Sequence, residues 1–378
     1  MICSATVLDE TYPGIGFDQH GVSSLVREFR RFHEPLLHEC KSSLEKRIDS
    51  MCEVIASDSI GRKYDCLIGV SGGRDSSYLA HIAVTQFGLN PLLVHIDAGW
   101  NTPEACQNVY NIACKLGLDL ETFVIDWNSL RQLHLAFFRS GTPSQDTPQD
   151  LVFSGALLKA AKKFGIKHVL NGGNLATEGI PTPLKLLYWA NDLRHVKGIW
   201  SAHGAGGRNV LNSLPLVSPY ESRLIRPLLG VSKVWRPLNF VTYSVKQASD
   251  ELRQLYDFKV FEQKHFESSF TKFFEGYWLP KRFNFDMRTV QYSSLILSGQ
   301  MDRNEAIKKL QSPPIDEEAV DLLREFVADK LEIKVAELHQ LMRLPKKFWY
   351  QYPNSNTVFR IGEWAISKLT QQRRGGAS

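Results

Sequence analysis

The spacing of apolar residues alternates between two patterns within residues 64–170. Short apolar segments predict strands, at 65–70, 91–96, 121–125 and 168–170. Between them apolar residues recur at helical spacing and predict helices, among them 103–116 and 151–164. The segment 91–96 is almost wholly apolar, which is typical of a parallel strand buried on both faces. This alternation predicts an α/β fold, a doubly wound parallel sheet with helices on both faces.

The flanking regions have a different pattern. An apolar stripe among many charges predicts one or two helices within 23–57, and the pattern becomes irregular from about residue 201. From residue 240 onward the chain is rich in aromatic residues and mainly helical in pattern. We therefore expect a helical N-terminal segment at 1–60, a sheet domain at 61–240 and a mainly helical C-terminal region at 241–378.

Composition narrows the class of protein. A chain of 378 residues exceeds one typical domain, and 43% apolar with 22% charged residues is ordinary for a soluble globular protein. The net charge of +5 is spread along the chain, so we expect no nucleic-acid partner. We also expect no transmembrane segment and no secretory signal. The six scattered cysteines form no CxxC pair, which favours reduced thiols and a cytoplasmic location.

The turn after the first predicted strand carries the clearest chemical signal, Ser71-Gly72-Gly73-Arg74-Asp75-Ser76-Ser77. Two glycines let the main chain approach an anion closely, because no Cβ intervenes. The following helix begins with unpaired N–H groups and a partial positive charge, and the serines add hydroxyl donors. The spacing differs from the G-x-x-x-x-G-K-[ST] mononucleotide loop. We interpret the turn as a phosphate-binding loop, with an ordinary Gly-Gly turn as the alternative.

Two further polar clusters follow predicted strands or precede helices. In a parallel sheet, ligands bind at the carboxyl ends of the strands, which directs attention to Asp97 and to 171–178. The segment 171–178 contains a glycine pair and ends at Glu178, whose carboxylate could hold Mg²⁺ or a substrate hydroxyl. An ordinary tight turn is the alternative interpretation of this segment. Residues 145–150 combine two acids with two amides and suit a sugar or a metal, although Asp150 could simply be a helix N-cap.

A third cluster runs from His265 to Pro280 and continues through 286–288 and 293–301. Aromatic residues are its main component. The residues by themselves indicate only a helical region with a polar, aromatic surface.

These clusters together resemble a known family. The loop is similar to the SGGxDS loop of the ATP pyrophosphatases. These enzymes cleave ATP between the α and β phosphates and transfer AMP to an oxygen. The resemblance implies an adenine nucleotide alpha hydrolase-like fold. With 145–150, 171–178 and 265–280 in this order, the chain from about Glu10 to Pro314 resembles the N-acetyl sugar amidotransferases of the O-antigen and lipopolysaccharide branch. The resemblance implies conversion of an acetamido group to an acetamidino group on a UDP-linked sugar, a diacetamido uronic acid. An O-adenylyl intermediate would form, and AMP and pyrophosphate would be released.

The resemblance also implies roles for individual residues, with ATP and Mg²⁺ as cofactors. The residues expected to bind ATP are Ser71, Gly72, Gly73, Asp75, Ser76, Ser77, Asp97 and Gly173. Those expected to contact the sugar are Gln149, Asp150, Asn174, Glu178, His265 and Glu267. Asp75, Asp150 and Glu178 are the expected catalytic residues, with Asp75 and Glu178 as Mg²⁺ ligands.

The N-terminal segment departs from the family pattern. Members often carry two CxxC pairs that suit a structural zinc, but here Cys3 is followed by Thr6, Ser23 and Val26 at the other three positions. We therefore predict no zinc, and we expect apolar packing and hydrogen bonds to hold this segment.

Ammonia would have to come from elsewhere. None of the cysteines lies in a glutaminase-like turn, and the resemblance implies separate glutaminase and ammonia-channel subunits as partners. The competing interpretations are a tRNA-modifying ATP pyrophosphatase, of the thiolase or lysidine synthetase type, and a non-catalytic nucleotide-binding regulator. The first lacks a basic RNA face and paired cysteines, and the second does not explain a loop whose hydroxyls and acid are all present.

Overall fold

The computed structural model describes residues 1–207, 209–217 and 233–362. A five-stranded sheet lies at its centre, and every pair of neighbouring strands in it is parallel. The strands are β1 (Cys66–Gly69), β2 (Pro91–Asp97), β3 (Leu120–Val124), β4 (His168–Leu170) and β5 (Lys233–Trp235). This sheet confirms the predicted α/β fold class.

The strand order β3-β2-β1-β4-β5 determines where a ligand can lie. The chain leaves β1 toward β2 and β3 on one side and returns to β4 and β5 on the other. The order therefore reverses between β1 and β4, and the crevice beyond the carboxyl ends of these two strands is the expected binding position in a doubly wound sheet. Leu67 pairs with Val169 and Ile68 with Leu170 in this register.

Helices cover the sheet and build both flanking regions. Before β4 they are α1 (Ser24–Phe32), α2 (Glu34–Leu37), α3 (Lys41–Ser59), α4 (Arg74–Thr85), α5 (Pro103–Leu116), α6 (Trp127–Ser140) and α7 (Thr147–Lys163). Between β4 and β5 lie α8 (Leu175–Glu178), α9 (Leu193–His203) and α10 (Asn209–Ser213). After β5 come α11 (Val245–Tyr256), α12 (Ser269–Phe273), α13 (Leu279–Phe283), α14 (Arg288–Leu297), α15 (Arg303–Leu310), α16 (Glu317–Lys330) and α17 (Val335–Arg343). Phe274–Trp278 form a π-helical turn, and Pro237–Asn239 and Trp349–Gln351 form 3₁₀ turns.

The first four strands lie within one residue of their predicted bounds, but several other elements differ. The sequence missed β5, which is three residues long with Lys233 and Val234 exposed, so it has no apolar run. It also missed α6, where a fully buried polar residue, His134, interrupts the apolar period. Three helices occupy the N-terminal segment instead of one or two. The sequence also missed α9, and the stretch expected to be irregular after residue 201 contains the short helix α10, with residues 208 and 218–232 outside the described ranges. The three predicted regions themselves stay a prediction.

Three apolar clusters hold these layers together. Alternate residues of β1 enter different clusters: Leu67 packs on one face of the sheet, and Cys66 and Ile68 pack on the other. The third cluster joins the N-terminal segment to the C-terminal helices, with Phe29 and Trp278 among its buried members. Within the described ranges, no helix is both long and apolar enough to cross a bilayer.

The four positions of the missing cysteine pairs lie together at the N-terminus. Cys3, Thr6, Ser23 and Val26 are completely buried, and the Ser23 N–H donates to Cys3 Sγ at 3.3 Å. Ser23 Oγ in turn accepts from the Val26 N–H at 3.3 Å. Arg303 donates to the carbonyl oxygens of Cys3 and Thr6, both at 2.9 Å. Hydrogen bonds and apolar burial thus connect these positions, and no group of three His, Cys, Asp or Glu suited to a metal occurs among the residues described.

This geometry makes an experimental prediction about zinc. The triple variant Thr6→Cys, Ser23→Cys, Val26→Cys would place four thiols around one point, because the four positions already converge. We expect it to purify with one zinc per chain and to lose thermal stability on chelation, because structural zinc contributes directly to folding. Metal analysis and melting curves with and without chelator, with the unaltered chain as control, would test this. One tightly bound zinc in the unaltered chain, or none in the triple variant, would contradict it.

Candidate functional site

The loop between β1 and α4 is shaped by close packing against α5. Gly72 has φ +81°, and a Cβ built there would lie 2.2 Å from the carbonyl oxygen of Ala105. Asn108, which is buried in the same helix, donates to the Gly72 carbonyl oxygen at 3.0 Å. Only glycine fits this position, because both the backbone angle and the neighbouring carbonyl exclude a side chain.

The second glycine pair packs directly on this loop. A Cβ on Gly172 would lie 3.0 Å from both the Asp75 carbonyl carbon and the Ser76 nitrogen. The Gly173 N–H donates to Asn171 Oδ1 at 2.7 Å. The structure therefore brings together the two glycine-containing turns that follow β1 and β4, at the point where the strand order reverses.

Asp75, at the start of α4, is the most highly connected residue of this region. Its Oδ1 accepts from the Tyr243 hydroxyl at 2.5 Å and from Arg74 Nε at 3.1 Å, and its Oδ2 accepts from Lys264 Nζ at 2.9 Å. Burial raises the pKa of Asp75, but the charges of Lys264 and Arg74 outweigh it and hold the pKa well below its usual range. The carboxylate is therefore ionised at neutral pH.

Asn174 braces the same carboxylate from the second turn. Its Nδ2 donates to Asp75 Oδ2 at 3.3 Å and to the Gly172 carbonyl oxygen at 3.2 Å, and its Oδ1 caps α8 by accepting from the Thr177 N–H at 3.0 Å. The side chain is almost completely buried. Asn174 thus lies beside the predicted site with its amide engaged by protein groups.

Lys264 is a site residue that the sequence reasoning missed. Its Nζ lies 2.9 Å from Asp75 Oδ2, 2.8 Å from Thr177 Oγ1 and 2.6 Å from Glu178 Oε1, and the side chain is 14% exposed. Burial lowers the pKa of Lys264, but Asp75 and Glu178 outweigh it and raise the pKa. The only available signal was its position next to His265, because a single lysine in a polar stretch has no distinguishing pattern.

A long cleft opens over these residues and has two compartments. The loop compartment, about 1100 Å³, is lined by Ser71, Gly73, Asp75, Ser76, Gly173 and the cations Arg74, Arg236 and Lys264. The acid compartment, about 1280 Å³, is lined by Asp146, Asp150, Glu178, Glu267, Glu275 and His265, together with aromatic and aliphatic side chains. Asp150, Glu178, Lys264, His265 and Glu267 line both, so the two compartments form one continuous cleft.

Glu267 lies against the loop. Its Oε1 accepts from Ser71 Oγ at 2.9 Å and would lie 2.5 Å from a Cβ on Gly73. Ser77 and Asp97 lie differently: Ser77 is buried beneath the loop, and Asp97 Oδ1 accepts from the Gly99 N–H at 2.8 Å. The loop compartment therefore contains Ser71, Gly73, Ser76 and Gly173 of the residues predicted to bind ATP, besides Asp75.

His265 and Glu275 form a charged pair in the acid compartment. His265 has a left-handed backbone, φ +70°, and its Nδ1 lies 3.1 Å from Glu275 Oε1. Burial lowers the pKa of His265, but Glu275 outweighs it and raises the pKa to about 9. The imidazole is thus protonated at neutral pH. Glu275, on the π-helical turn, also accepts from Gln291 Nε2 at 3.3 Å, and the sequence reasoning did not single it out.

Within the cluster 145–150, some side chains bond to protein groups and others face the cleft. Helix α7 begins at Thr147, so Asp150 is in its first turn and is not the N-cap. Gln149 is buried and engaged by protein groups, since its Nε2 donates to Thr271 Oγ1 and its Oε1 accepts from Ser268 Oγ, both at 3.2 Å. Asp150 points into the cleft and is exposed to it.

The predicted Mg²⁺ ligands Asp75 and Glu178 both contact the Lys264 side chain. Asp75 Oδ2, Thr177 Oγ1 and Glu178 Oε1 all approach one cation, the Lys264 ammonium, at 2.6–2.9 Å. Two carboxylates and a hydroxyl are oxygen donors of the type that Mg²⁺ takes together with phosphate oxygens. The donor set therefore fits the ion chemically, with Lys264 supplying the positive charge in this structure.

Comparisons with known proteins give one family match and several distant neighbours. Residues 267–368 match the family model described as LPS biosynthesis protein WbpG-like, C-terminal domain. A stretch of 115 residues is 28% identical to the uncharacterized protein MJ1599 of Methanocaldococcus jannaschii, covering 30% of this chain and 40% of that protein. The chain thus spans two fifths of the length of this relative.

Solved structures resemble the chain only loosely. The NH3-dependent NAD synthetase of Campylobacter jejuni is 13% identical, with 80% of this chain and 98% of that one covered and a TM-score of 0.31. The NMN synthetase of Francisella tularensis is 14% identical, with 60% and 99% covered and a TM-score of 0.29. The U34-tRNA thiolase NcsA of Methanococcus maripaludis is 12% identical, with 70% and 82% covered and a TM-score of 0.33. TM-scores near this level do not establish a shared function.

Proposed function

We propose that this chain is an ATP-dependent amidotransferase of lipopolysaccharide biosynthesis. It would convert an acetamido group of a UDP-linked sugar, a diacetamido uronic acid, to an acetamidino group, with release of AMP and pyrophosphate. The observation that carries the proposal is the continuous cleft in which a loop compartment, lined by glycines and by Arg74, Arg236 and Lys264, meets an acid compartment. The WbpG-like match over residues 267–368 includes Glu267 and Glu275 in the walls of that cleft.

The loop compartment suits the phosphates of ATP. Arg74, Arg236 and Lys264 line it, and α4 begins at its floor with the positive end of the helix dipole. Ser71 and Ser76 would donate hydroxyl hydrogen bonds to phosphate oxygens. An anion entering here would compete with Glu267 for the Ser71 hydroxyl, which makes Glu267 a group that must move or be bridged.

ATP is needed because an amide oxygen is a poor leaving group. Adenylation of the acetamido oxygen creates an O-adenylyl imidate, from which AMP can depart when ammonia attacks. Lys264 lines both compartments, where the α-phosphate and the acceptor oxygen would have to meet. Its charge would stabilise the anionic transition state, so catalysis would depend on positioning and electrostatics with no covalent nucleophile.

Mg²⁺ would neutralise charge on the phosphates when bound. Asp75 and Glu178, with Thr177, are the residues that would hold it.

The sugar would lie in the acid compartment. Asp150, Glu178, His265 and Glu267 face the cleft and could accept or donate hydrogen bonds to sugar hydroxyls. Gln149 and Asn174 would act mainly by positioning, since their amides already bond to Thr271, Ser268 and Asp75. A separate glutaminase with an ammonia channel, and a cytoplasmic location, belong to the same proposal.

Mass spectrometry of the sugar product tests this function. With UDP-diacetamido uronic acid, ATP, Mg²⁺ and ammonium, we expect a product in which one oxygen is replaced by NH, with one AMP and one pyrophosphate per product. Glutamine should not replace ammonium for this chain alone. AMP formation that depends on tRNA, or ATP cleavage that no acetamido sugar stimulates, would refute the proposal in favour of the tRNA-modifying or regulatory alternatives.

A further inference from the structure

The walls of the acid compartment contain more carboxylates than cations, whereas the adjoining loop compartment contains several cations, among them Arg74, Arg236 and Lys264. Asp146, Asp150 and Glu275 face the acid compartment, and His265 is the cation paired with Glu275. Among the described residues neither Asp146 nor Asp150 forms an ion pair. Burial raises the pKa of Asp150, although the charge of His265 opposes that effect. A nucleotide phosphate would be repelled here, whereas a cation would be attracted.

Asp146 and Asp150 differ from the other carboxylates of the cleft in their partners. Asp146 Oδ1 is completely buried and has no hydrogen-bond partner among the residues described. Asp150 projects into the cleft from the first turn of α7. Removing a carboxylate oxygen from water without a donor is costly, so a positive charge in the cleft beside Asp146 would stabilise its ionised form.

A bare metal ion suits these carboxylates less well than a nitrogen cation. Across the described residues no three His, Cys, Asp or Glu groups converge as metal ligands. Ammonium donates hydrogen bonds in several directions and needs no converging set of three ligands.

We propose that the acid compartment binds the nitrogen substrate as ammonium, and the amidinium group of the product, through Asp146 and Asp150. This inference rests on the proposed amidotransferase function and extends it to the second substrate. Asp150 lines both compartments, so an ammonium at this carboxylate would lie near the imidate carbon that forms where the two compartments meet.

Asp150 would also take the proton that makes ammonia a nucleophile. Ammonium transfers one proton to the Asp150 carboxylate, and the freed lone pair forms the new C–N bond to the imidate carbon. The C–O bond to the adenylyl group then breaks and its electron pair leaves with AMP as the phosphate dianion, while one proton of the adding nitrogen moves to the former amide nitrogen. The product is therefore an amidinium, and it lies opposite both aspartates once Asp150 has released its proton to water.

The electrostatic surroundings of Asp150 agree with this role. Burial raises its pKa to about 6, with His265 opposing and Glu275 reinforcing the effect. Burial, together with Asp150 and Glu275, also holds the pKa of Asp146 above its usual range. Asp150, with this pKa, is ionised at neutral pH and accepts a proton more readily than an exposed aspartate, whereas a cation beside Asp146 would favour its ionised form.

Binding of acetamidinium tests the site without any sugar. Titration calorimetry with the full chain and α,β-methylene-ATP should detect acetamidinium binding that weakens about tenfold in Asp150→Asn and in Asp146→Asn. Glu28→Gln, which removes an exposed acid from the far wall of the same cavity, is the matched control and should bind like the unaltered chain. Equal binding by all four proteins, or no binding by the unaltered chain, would overturn the proposal.

Nucleophile dependence provides the second measurement. Asp150→Asn should raise the KM for ammonium about tenfold or more while changing the KM for ATP about twofold or less. Hydroxylamine, which is uncharged near neutral pH, should restore turnover in this variant because it needs no deprotonation. If neither excess ammonium nor hydroxylamine restores turnover in Asp150→Asn, Asp150 has a structural role and the proposal fails. If acetamidinium binds as expected but no sugar is amidinated, the cation site stands and the proposed function fails.

Discussion

Replacement of Lys264 by methionine is expected to lower the rate of AMP formation by roughly 10²–10³-fold. The Lys264 side-chain ammonium contacts Asp75, Thr177 and Glu178, and Lys264 lines both compartments. Methionine keeps an unbranched apolar stem but removes the charge that would stabilise the transferring phosphoryl group. Steady-state measurement of AMP and pyrophosphate formation, with melting temperature as the folding control, would show the loss.

The matched control is Lys309→Met. Lys309 lines the loop compartment, is half exposed and pairs with Glu305 at 2.8 Å, so its removal should change the rate only about twofold. Lys264→Arg should recover part of the lost activity, because it restores the charge with a different shape. A Lys264→Met protein that keeps more than about a tenth of the activity would contradict a direct role for this ammonium.

Replacement of Gly72 by alanine is expected to destabilise the chain by about 2–5 kcal/mol and to abolish ATP binding. Two costs add at this residue: a left-handed backbone that L side chains resist, and a Cβ that would lie 2.2 Å from the Ala105 carbonyl oxygen. The carbonyl belongs to α5, so relief requires the loop to move away from the helix that shapes it. Thermal unfolding and nucleotide titration would measure both effects.

Gly88→Ala separates the two costs. Gly88 has a similar left-handed backbone, φ +64°, but a Cβ there meets no atom within 4 Å. It should therefore lose only about 1 kcal/mol and bind ATP normally. Equal losses in the two variants would mean that the contact with α5 contributes little to the shape of the loop.

Patterns that depend on neighbouring residues could be predicted from the sequence, and contacts between distant residues could not. The strands β1 to β4 were predictable because apolar runs bounded by turns are local features, and the fold class follows from their alternation with helices. The glycine turns after β1 and β4 were recognisable for the same reason, and their proximity follows from the parallel strands that precede them. Asp75 was singled out, but its partners Tyr243 and Lys264 lie 168 and 189 residues away, and no spacing rule connects them.

The prediction of sugar contacts was limited for the same reason, because the protein partners of Gln149 and Asn174 lie far away in the sequence. Gln149, Asn174 and His265 were all expected to contact the sugar on the basis of the family resemblance. The structure places the first two in hydrogen bonds with protein groups, because an amide can satisfy a buried neighbour as well as a ligand. Glu275 was overlooked because it lies within an apolar, aromatic stretch, where only the π-helical turn and the pairing with His265 reveal it.

The attachment of the N-terminus by Arg303 has a consequence for how the protein responds to chelators. Arg303 donates hydrogen bonds to the Cys3 and Thr6 carbonyl oxygens. A guanidinium therefore attaches the N-terminal segment, which thiolates and a metal would hold in a protein with two CxxC pairs. A guanidinium cannot be stripped by a chelator or oxidised. Ethylenediaminetetraacetate added to this protein should therefore inhibit turnover by removing the nucleotide's divalent ion while leaving the melting temperature unchanged. A metal titration would then report on the reaction alone, without a contribution from folding.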